Sequence, residues 1–509
     1  MSVSAETLEA PSRRSRSHLD ILRSTAIIGS SSLVNILLAV VRAKAMAILL
    51  GPSGVGLMGL YNSVLDLAQS LAGLGVQASG VRQIAEAAGT GEAERLARTA
   101  TVLRRLSVGL GVIGALLLVA LSVPVARLTF GDESHAAGIA LLSLALFCRI
   151  VAAGQAALLQ GLRRIGDLAR ISVLGGLAST LVGLPLIYLF GADGVVLSIL
   201  AITLASLATS WWFARKVSVE APRLSASAFR AESRDLFKLG FAFLTSGLLM
   251  TGAAYLVRLI VLHNSGLAAA GFYQSAWTLG GLYAGFILQA MGTDFYPRLT
   301  GVAADHDECN RMVNEQAQIS MLLAGPGLMG TLTAAPLVMT LFYSPEFMAA
   351  VEVLRWICLG MMLRVVVWPM GFIVLAKNTQ RIFVWTELAA VAVQVLLAFL
   401  LVPRFGPAGA GMAFCGLYLW HGLVIFLVTR RLTGFRPSAE NLRLGLVFLP
   451  SAIFLMLAFQ SLGLVFATLV GGTVTFATGL YALHGLAHLV PPEALPRILR
   501  PLVARLTRS

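Results

Sequence analysis

Positive charge in this chain follows an alternation. Long apolar runs are separated by short breaks, and Lys and Arg crowd into every second break. Of the 38 Lys and Arg, thirty fall in those basic breaks and the two tails. Two, Arg127 and Arg404, fall in the opposite breaks, and six lie inside apolar runs: Arg42, Lys44, Arg149, Arg258, Arg355 and Arg364. Such sorting describes a membrane topology, because short loops rich in Lys and Arg stay cytoplasmic. The six cations inside spans are costly to insert and therefore point to function.

Composition carries the same message. The chain is 57% hydrophobic and 12% charged, where an ordinary soluble domain is about 25% charged. Repeated apolar stretches of about 20 residues make it a polytopic helical membrane protein. A net charge of +14 would suggest nucleic acid for a soluble protein. Here the charge is spread over the loops of one side, so no nucleic-acid partner is expected. Cys148, Cys309, Cys358 and Cys415 show no CxxC spacing and read as small buried hydrophobes. No catalytic constellation and no Walker loop is present, and the histidines are scattered over loops and helix ends. No catalytic residue, metal or cofactor is assigned. A membrane-embedded sugar polymerase or glycosyltransferase needs an outer domain or large loop, and the outer breaks are too short for one.

Fourteen apolar runs can be marked, at about 24–49, 56–85, 103–128, 138–161, 171–190, 194–214, 239–263, 268–297, 317–342, 348–376, 381–402, 408–430, 444–461 and 464–488. Residues 1–20 read as a disordered basic tail, and the run that follows as a retained first helix, because no A-x-A cleavage site ends it. Both termini are expected in the cytoplasm. Several outer breaks are glycine turns: GPSGVG at 51–56, GADG at 191–194 and GPAGAG at 406–411. The longest inner linker, 217–238, carries Pro222 and mixed charge and divides the chain near its middle. A basic tail closes it at 489–509.

That division separates two copies of one unit. Gly59-Leu60-Tyr61-Asn62-Ser63 aligns with Gly271-Phe272-Tyr273-Gln274-Ser275 at an offset of 212, and nine of 28 positions are identical through Glu86. Shared Tyr, Ser and Gln go beyond what an apolar composition supplies. Farther along, Arg149 meets Arg364 at 215 and Arg42 meets Arg258 at 216. The expected architecture is all-α: an N-lobe at 21–216 with spans 1–6, a C-lobe at 239–433 with spans 7–12, and two extra helices at 443–488. Both copies start on the same side. The repeat is parallel, and the substrate path is expected between the lobes.

Matched arginines at the lobe interface would make a cationic cavity. Arginine suits phosphate because its planar fork binds oxygens bidentately and stays charged. Arg149 and Arg364 near the middle of spans 4 and 10, with Arg42 and Arg258 farther out, are the candidate anion-binding residues. Arg355 lies nine residues before Arg364, which points the two to opposite faces. Two structural alternatives remain open: snorkelling for Arg42, Lys44 and Arg258, and pairing of Arg149 or Arg364 with a buried acid. Asp66, Asp294, Glu352 and Glu387 are the candidate acids. Asp66, Glu387 and Asp294 are also candidates for coupling to a proton or sodium gradient. Span 8 offers Tyr273, Gln274 and Trp277 for sugar contacts, or for helix packing. Its GxxxG, Gly281 to Gly285, serves close helix approach.

The stretch VVRAKAMAILLGPSGVGLMGLYNSVLDLAQSLAGLGVQASGVRQIAE at 40–86 resembles the start of Wzx-type O-antigen and enterobacterial common antigen flippases. These form the polysaccharide transporter branch of the multidrug/oligosaccharidyl-lipid/polysaccharide exporter superfamily. AAAGFYQSAWTLGGLYAGFILQAMGTDFYPRLT at 268–300 is similar to the family's eighth span and following loop. The resemblance covers about residues 20–433. It implies two six-helix lobes around a central cavity that opens alternately to either side. It also implies a polyprenyl-diphosphate-linked oligosaccharide, moved from the cytoplasmic to the periplasmic leaflet of the bacterial inner membrane. Membrane lipids and the polysaccharide polymerase and chain-length machinery are the implied partners. Many Wzx-type members have twelve spans; fourteen is the number in the lipid II flippase branch. Two other functions compete: a cation-coupled exporter of small drugs, which would want a carboxylate-rich cavity, and a non-transporting scaffold, which needs no paired buried charges.

Overall fold

The computed structural model describes residues 13–217 and 224–489, with side chains from residue 34 onward apart from a few between 242 and 294. The two tails and the 217–238 linker therefore lie partly outside the described residues. Every regular element among those residues is helical. In lipid the backbone must satisfy its own hydrogen bonds, which leaves helices as the solution for a chain patterned this way.

The first half holds α1 (Arg13–Gly73), α2 (Val76–Thr90), α3 (Ala93–Ala120), α4 (Ser122–Phe130), α5 (Ala136–Gly161), α6 (Ile165–Ala178), α7 (Leu184–Phe190) and α8 (Gly194–Ala214). Helix α1 includes residues 13–20, read from sequence as a disordered tail. The second half holds α9 (Ala226–Ala290), α10 (Tyr296–Gly301), α11 (His306–Thr333), α12 (Ala335–Phe342), α13 (Ala350–Ala376), α14 (Gln380–Phe405) and α15 (Pro407–Thr433). Two final helices, α16 (Ala439–Ser461) and α17 (Leu464–Leu489), follow.

Eleven helical stretches among the described residues are long and apolar enough to cross a membrane, or twelve if the pair α11 and α12, bent by 81°, is one span. Two of the eleven, Val34–Gly73 and Phe243–Leu282, each cover two of the apolar runs marked in the sequence. A glycine breaks each of them: Gly51 (φ 62°, ψ −169°) and Gly266 (φ 82°, ψ 178°). That backbone region is open essentially to glycine alone. Their separation is 215 residues, the offset of the repeat. The next pair obeys it as well: Gly191 (φ 57°, ψ −130°) and Gly406 (φ 58°, ψ −146°) turn alike. Even the non-glycine turns match, since Arg163 and Asn378 both hold φ 54°. The internal repeat is thus written in backbone dihedrals as well as in residues.

The chain divides into two compact units. One comprises residues 1–45, 65–128 and 132–247; the other comprises 46–64, 129–131 and 248–509. In the first, α5 packs against α2, α3 and α8. Small residues allow the approach: a Cβ on Gly161 would strike Ile84, and one on Gly154 would strike Ser107. In the second unit, α13 packs against α11 and α15, with Gly360 under Phe414 and Gly411 against Trp356. Helices α16 and α17, outside the repeat, lie on α11. Asn314 of α11 ties down the start of α16: its Oδ1 accepts from Ser438 N at 2.8 Å and Asn441 Nδ2 at 2.9 Å. Large apolar side chains such as Tyr188, Leu189, Trp385 and Phe466 remain exposed. On a soluble protein they would be adhesive patches; on spanning helices they are the surface that lipid wets.

Candidate functional site

Five of the six cations inside spans fall into three settings: ion-paired, bonded to neutral polar groups, or stacked on aromatic rings. In the first unit Arg149, on α5, meets Asp66, on the second segment of α1, at 2.7 Å. Both side chains keep some exposure, 29% and 45%, so the pair is neither sealed nor fully solvated. Asp66 was one of four acids the sequence offered as a partner.

Arg42 makes a different contact. Its Nη1 donates to Ser179 Oγ at 2.6 Å. Ser179 opens a five-residue π-helix, Ser179–Gly183, between α6 and α7. Such bulges concentrate at functional sites because the local widening frees backbone groups. Seven residues earlier on both strands of this contact, Asn35 Nδ2 donates to Ser172 Oγ at 2.8 Å. Two rungs seven residues, or about two turns, apart on both helices form a polar seam between parallel spans. Sequence reasoning singled out Arg42 and missed Asn35, Ser172 and Ser179. The seven-residue spacing was the available signal.

In the second unit Arg258 Nε donates to Gln274 Oε1 at 3.0 Å, and Gln274 Nε2 donates to Thr278 Oγ1 at 3.3 Å. Gln274 also lies against Gly59, where a Cβ would come within 3.0 Å of it. Arg364 sits on α13 with its guanidinium 4.7 Å from the ring centre of Trp368 and 5.7 Å from that of Tyr418. Its Nε is buried with no hydrogen-bond partner. Glu387, on α14, lies within electrostatic reach of Arg364, but among the described residues no carboxylate comes within ion-pair distance of it. Trp368 and Tyr418 were not anticipated from sequence. A run of rings leads away from the arginine: Tyr418 to Phe414 at 5.0 Å, Phe414 to Trp277 at 5.0 Å, Trp277 to Tyr273 at 6.1 Å.

Tyr273 needs a correction. It is only 3% exposed, and its partner in the repeat, Tyr61, is equally buried at 3%. Ser63 and Ser275 bond back to their own helices, to Gly59 O and Phe272 O. The tyrosines and serines that made the repeat legible are packing residues in both copies, and Tyr273 presents no phenol to a substrate. Gln274 and Trp277 stay half-buried. Asp294 lies outside the residues whose side chains are described. Lys44 is half-buried and Glu352 exposed. Arg355 faces away from Arg364: its guanidinium lies 3.7 Å from the Phe459 ring on α16, whereas Arg364 reaches α15. All four cysteines are free and buried, and no His/Cys/Asp/Glu cluster among the described residues fits a metal ion.

Each unit therefore carries its own arginine set inside spanning helices. A family model described as "Polysaccharide biosynthesis protein" matches residues 45–352. A lipid III flippase of Escherichia coli strain K12 is 21% identical over 406 residues, covering 79% of this chain and 97% of that protein. Among solved structures, the lipid II flippase MurJ in an inward closed conformation superposes with a TM-score of 0.68 at 12% identity, over 91% of this chain and 99% of that one. An inward-facing multidrug resistance MATE family transporter of the MOP superfamily gives 0.66 at 18% identity, over 79% and 95%. These likenesses fix the fold as the two-lobe polytopic helical one of those transporters.

Proposed function

The chain belongs to the polysaccharide biosynthesis protein family, and we propose that within it this protein is a flippase for a polyprenyl-diphosphate-linked oligosaccharide. The cargo moves from the cytoplasmic to the periplasmic leaflet of the inner membrane, with both termini of the protein in the cytoplasm. The observation that carries this reading is the pair of repeat-matched arginines, Arg149 and Arg364, each only half-buried inside a spanning helix. A diphosphate offers the oxygens that such groups bind bidentately. The similarity to a lipid III flippase over nearly its whole length supports the same cargo class.

Arg364, which makes no ion pair among the described residues, offers its guanidinium to the diphosphate. Arg149 exchanges Asp66 for a phosphate oxygen, and Asp66 is a candidate for coupling transport to an ion gradient. Glu387, at a position that does not match Asp66 in the repeat, lies within electrostatic reach of Arg364 and is a second candidate for coupling. Arg42 and Arg258 extend the positive field, while Gln274 and Trp277 contact sugar. The polyprenyl tail stays in lipid, and the two lobes open alternately to either side. No bond in the cargo is made or broken, so the protein acts as a transporter and not as an enzyme. A cavity for cationic drugs would need an excess of carboxylates, whereas the charges inside these spans are mostly cationic.

The test uses the full chain in liposomes with a fluorescent polyprenyl-diphosphate oligosaccharide, its leaflet exposure read with an impermeant quencher. Wild type moves the probe between leaflets, and the Arg149→Gln/Arg364→Gln double variant does not. A wild type that leaves the probe in place under proton and sodium gradients, yet moves a cationic dye, would transfer the assignment to drug export.

A further inference from the structure

Arg355 is the one intramembrane arginine the transport scheme leaves without a task, and its surroundings are those of a binding site. It lines a cavity of about 430 Å³ with Glu352, Met348, Phe459, Gln460 and Leu464. Pockets of that size hold small ligands. The cavity opens where α12, α13, α16 and α17 meet. Arg355 lies five residues into α13, roughly 8 Å along its axis and so near that helix's first end.

The guanidinium is fixed but unsatisfied. Its face stacks on Phe459 at 3.7 Å, and Nε donates to Leu332 O at 3.3 Å. Its Nη2 is buried with no hydrogen-bond partner. A buried charged donor without an acceptor is costly enough to imply a missing partner. Glu352, three residues away on the same helix face, is exposed and makes no ion pair with Arg355 among the described residues. The cavity thus presents a cation and an anion side by side but separate, with the Gln460 amide nearby.

We propose that this cavity binds the zwitterionic phosphoethanolamine head group of a membrane phospholipid, its phosphate on Arg355 and its ammonium on Glu352. A purely anionic head group would leave Glu352 repelling it. A choline head group would meet Glu352 with a trimethylated nitrogen that has no hydrogen to donate. The acyl chains would then lie along the exposed apolar flank at the start of α17, where Leu464, Val465 and Phe466 are open. This role is separate from cargo binding and explains what the two helices outside the repeat contribute.

The experiment is native mass spectrometry of the detergent-purified full chain titrated with phosphatidylethanolamine, phosphatidylglycerol and phosphatidylcholine. Wild type binds one phosphatidylethanolamine about tenfold tighter than the other two, the scale of one charge-assisted hydrogen bond. Glu352→Gln, at an exposed position, folds normally and erases that preference. Arg355→Gln weakens all three lipids about tenfold. The proposal is overturned by equal binding of the three lipids in wild type, by a Glu352→Gln variant that keeps the preference, or by Arg355→Gln binding within twofold of wild type. Displacement of the lipid by soluble glycerophosphoethanolamine at equal concentration would overturn the assignment to a lipid.

Discussion

Arg149 and Arg364 occupy the same place in two copies of one six-helix unit, yet their surroundings differ. Arg149 is held by a carboxylate at 2.7 Å. Arg364 is held by two aromatic rings, with a buried Nε that nothing accepts. The repeat explains why. At the 212 offset Asp66 corresponds to Thr278, and at 215 Glu387 corresponds to Ser172, so the copies kept the cation and exchanged the acid. Duplication kept the cation in both copies, and divergence left one arginine ion-paired and the other stacked on aromatic rings. An ion pair must be broken before its cation can bind phosphate, whereas stacking leaves the guanidinium edge available.

The comparison breaks most readily at Arg364. Arg364→Gln should lower the flipping rate about 100-fold while leaving the protein folded, since a fully used charged contact is worth roughly 1.5–3 kcal/mol. Flipping rate against thermal stability of the same preparation reads this out. Arg149→Gln should cost about tenfold in rate and also destabilise, because Asp66 loses its partner. Equal losses of rate in both variants would erase the distinction.

The second test concerns the glycine breaks, which the two copies share. Gly51→Ala and Gly266→Ala each force a side chain into a backbone region that disfavours it, at about 1–3 kcal/mol. Gly51→Ala should be the worse, because its Cβ would sit 3.2 Å from Glu346 Oε2 while nothing lies within 4 Å at Gly266. Melting temperatures of the two variants check the order.

A smaller effect belongs to the Arg149–Asp66 pair. Its partial exposure reduces the coupling to about 1 kcal/mol, measured by a double-mutant cycle with Arg149→Gln and Asp66→Asn. Smallest is Ser179→Ala. It removes one hydrogen bond to Arg42 and should cost about 0.5 kcal/mol, with Ser172→Ala, on the other rung, costing no more.

Much of this was legible in the sequence. The alternation of charge gave the spans, and the matched arginines stood out because cations are rare in apolar runs. That Arg355 and Arg364 face apart followed from nine residues of helical rotation. What could not be read was pairing across helices. Asp66 and Arg149 are 83 residues apart, and of the four candidate acids two, Asp66 and Glu387, lay inside spans with nothing in the sequence to choose between them. The Asn35–Ser172 and Arg42–Ser179 seam hid because Ser is common and carries no charge. Tyr273 failed for another reason: spacing of i, i+4 tells which residues share a face, not whether that face meets substrate or packs inside the bundle. Trp368 and Tyr418 were lost among apolar neighbours, since a ring stacked on a guanidinium leaves no trace in spacing.

The central claim is that the arginine without a carboxylate partner anchors the diphosphate. Its most direct test is the affinity of a polyprenyl-diphosphate oligosaccharide for purified wild type, Arg149→Gln and Arg364→Gln. The account predicts that Arg364→Gln weakens binding by at least about 30-fold and Arg149→Gln by severalfold less. Affinities within twofold of wild type for both variants, in protein that melts as wild type does, would contradict it.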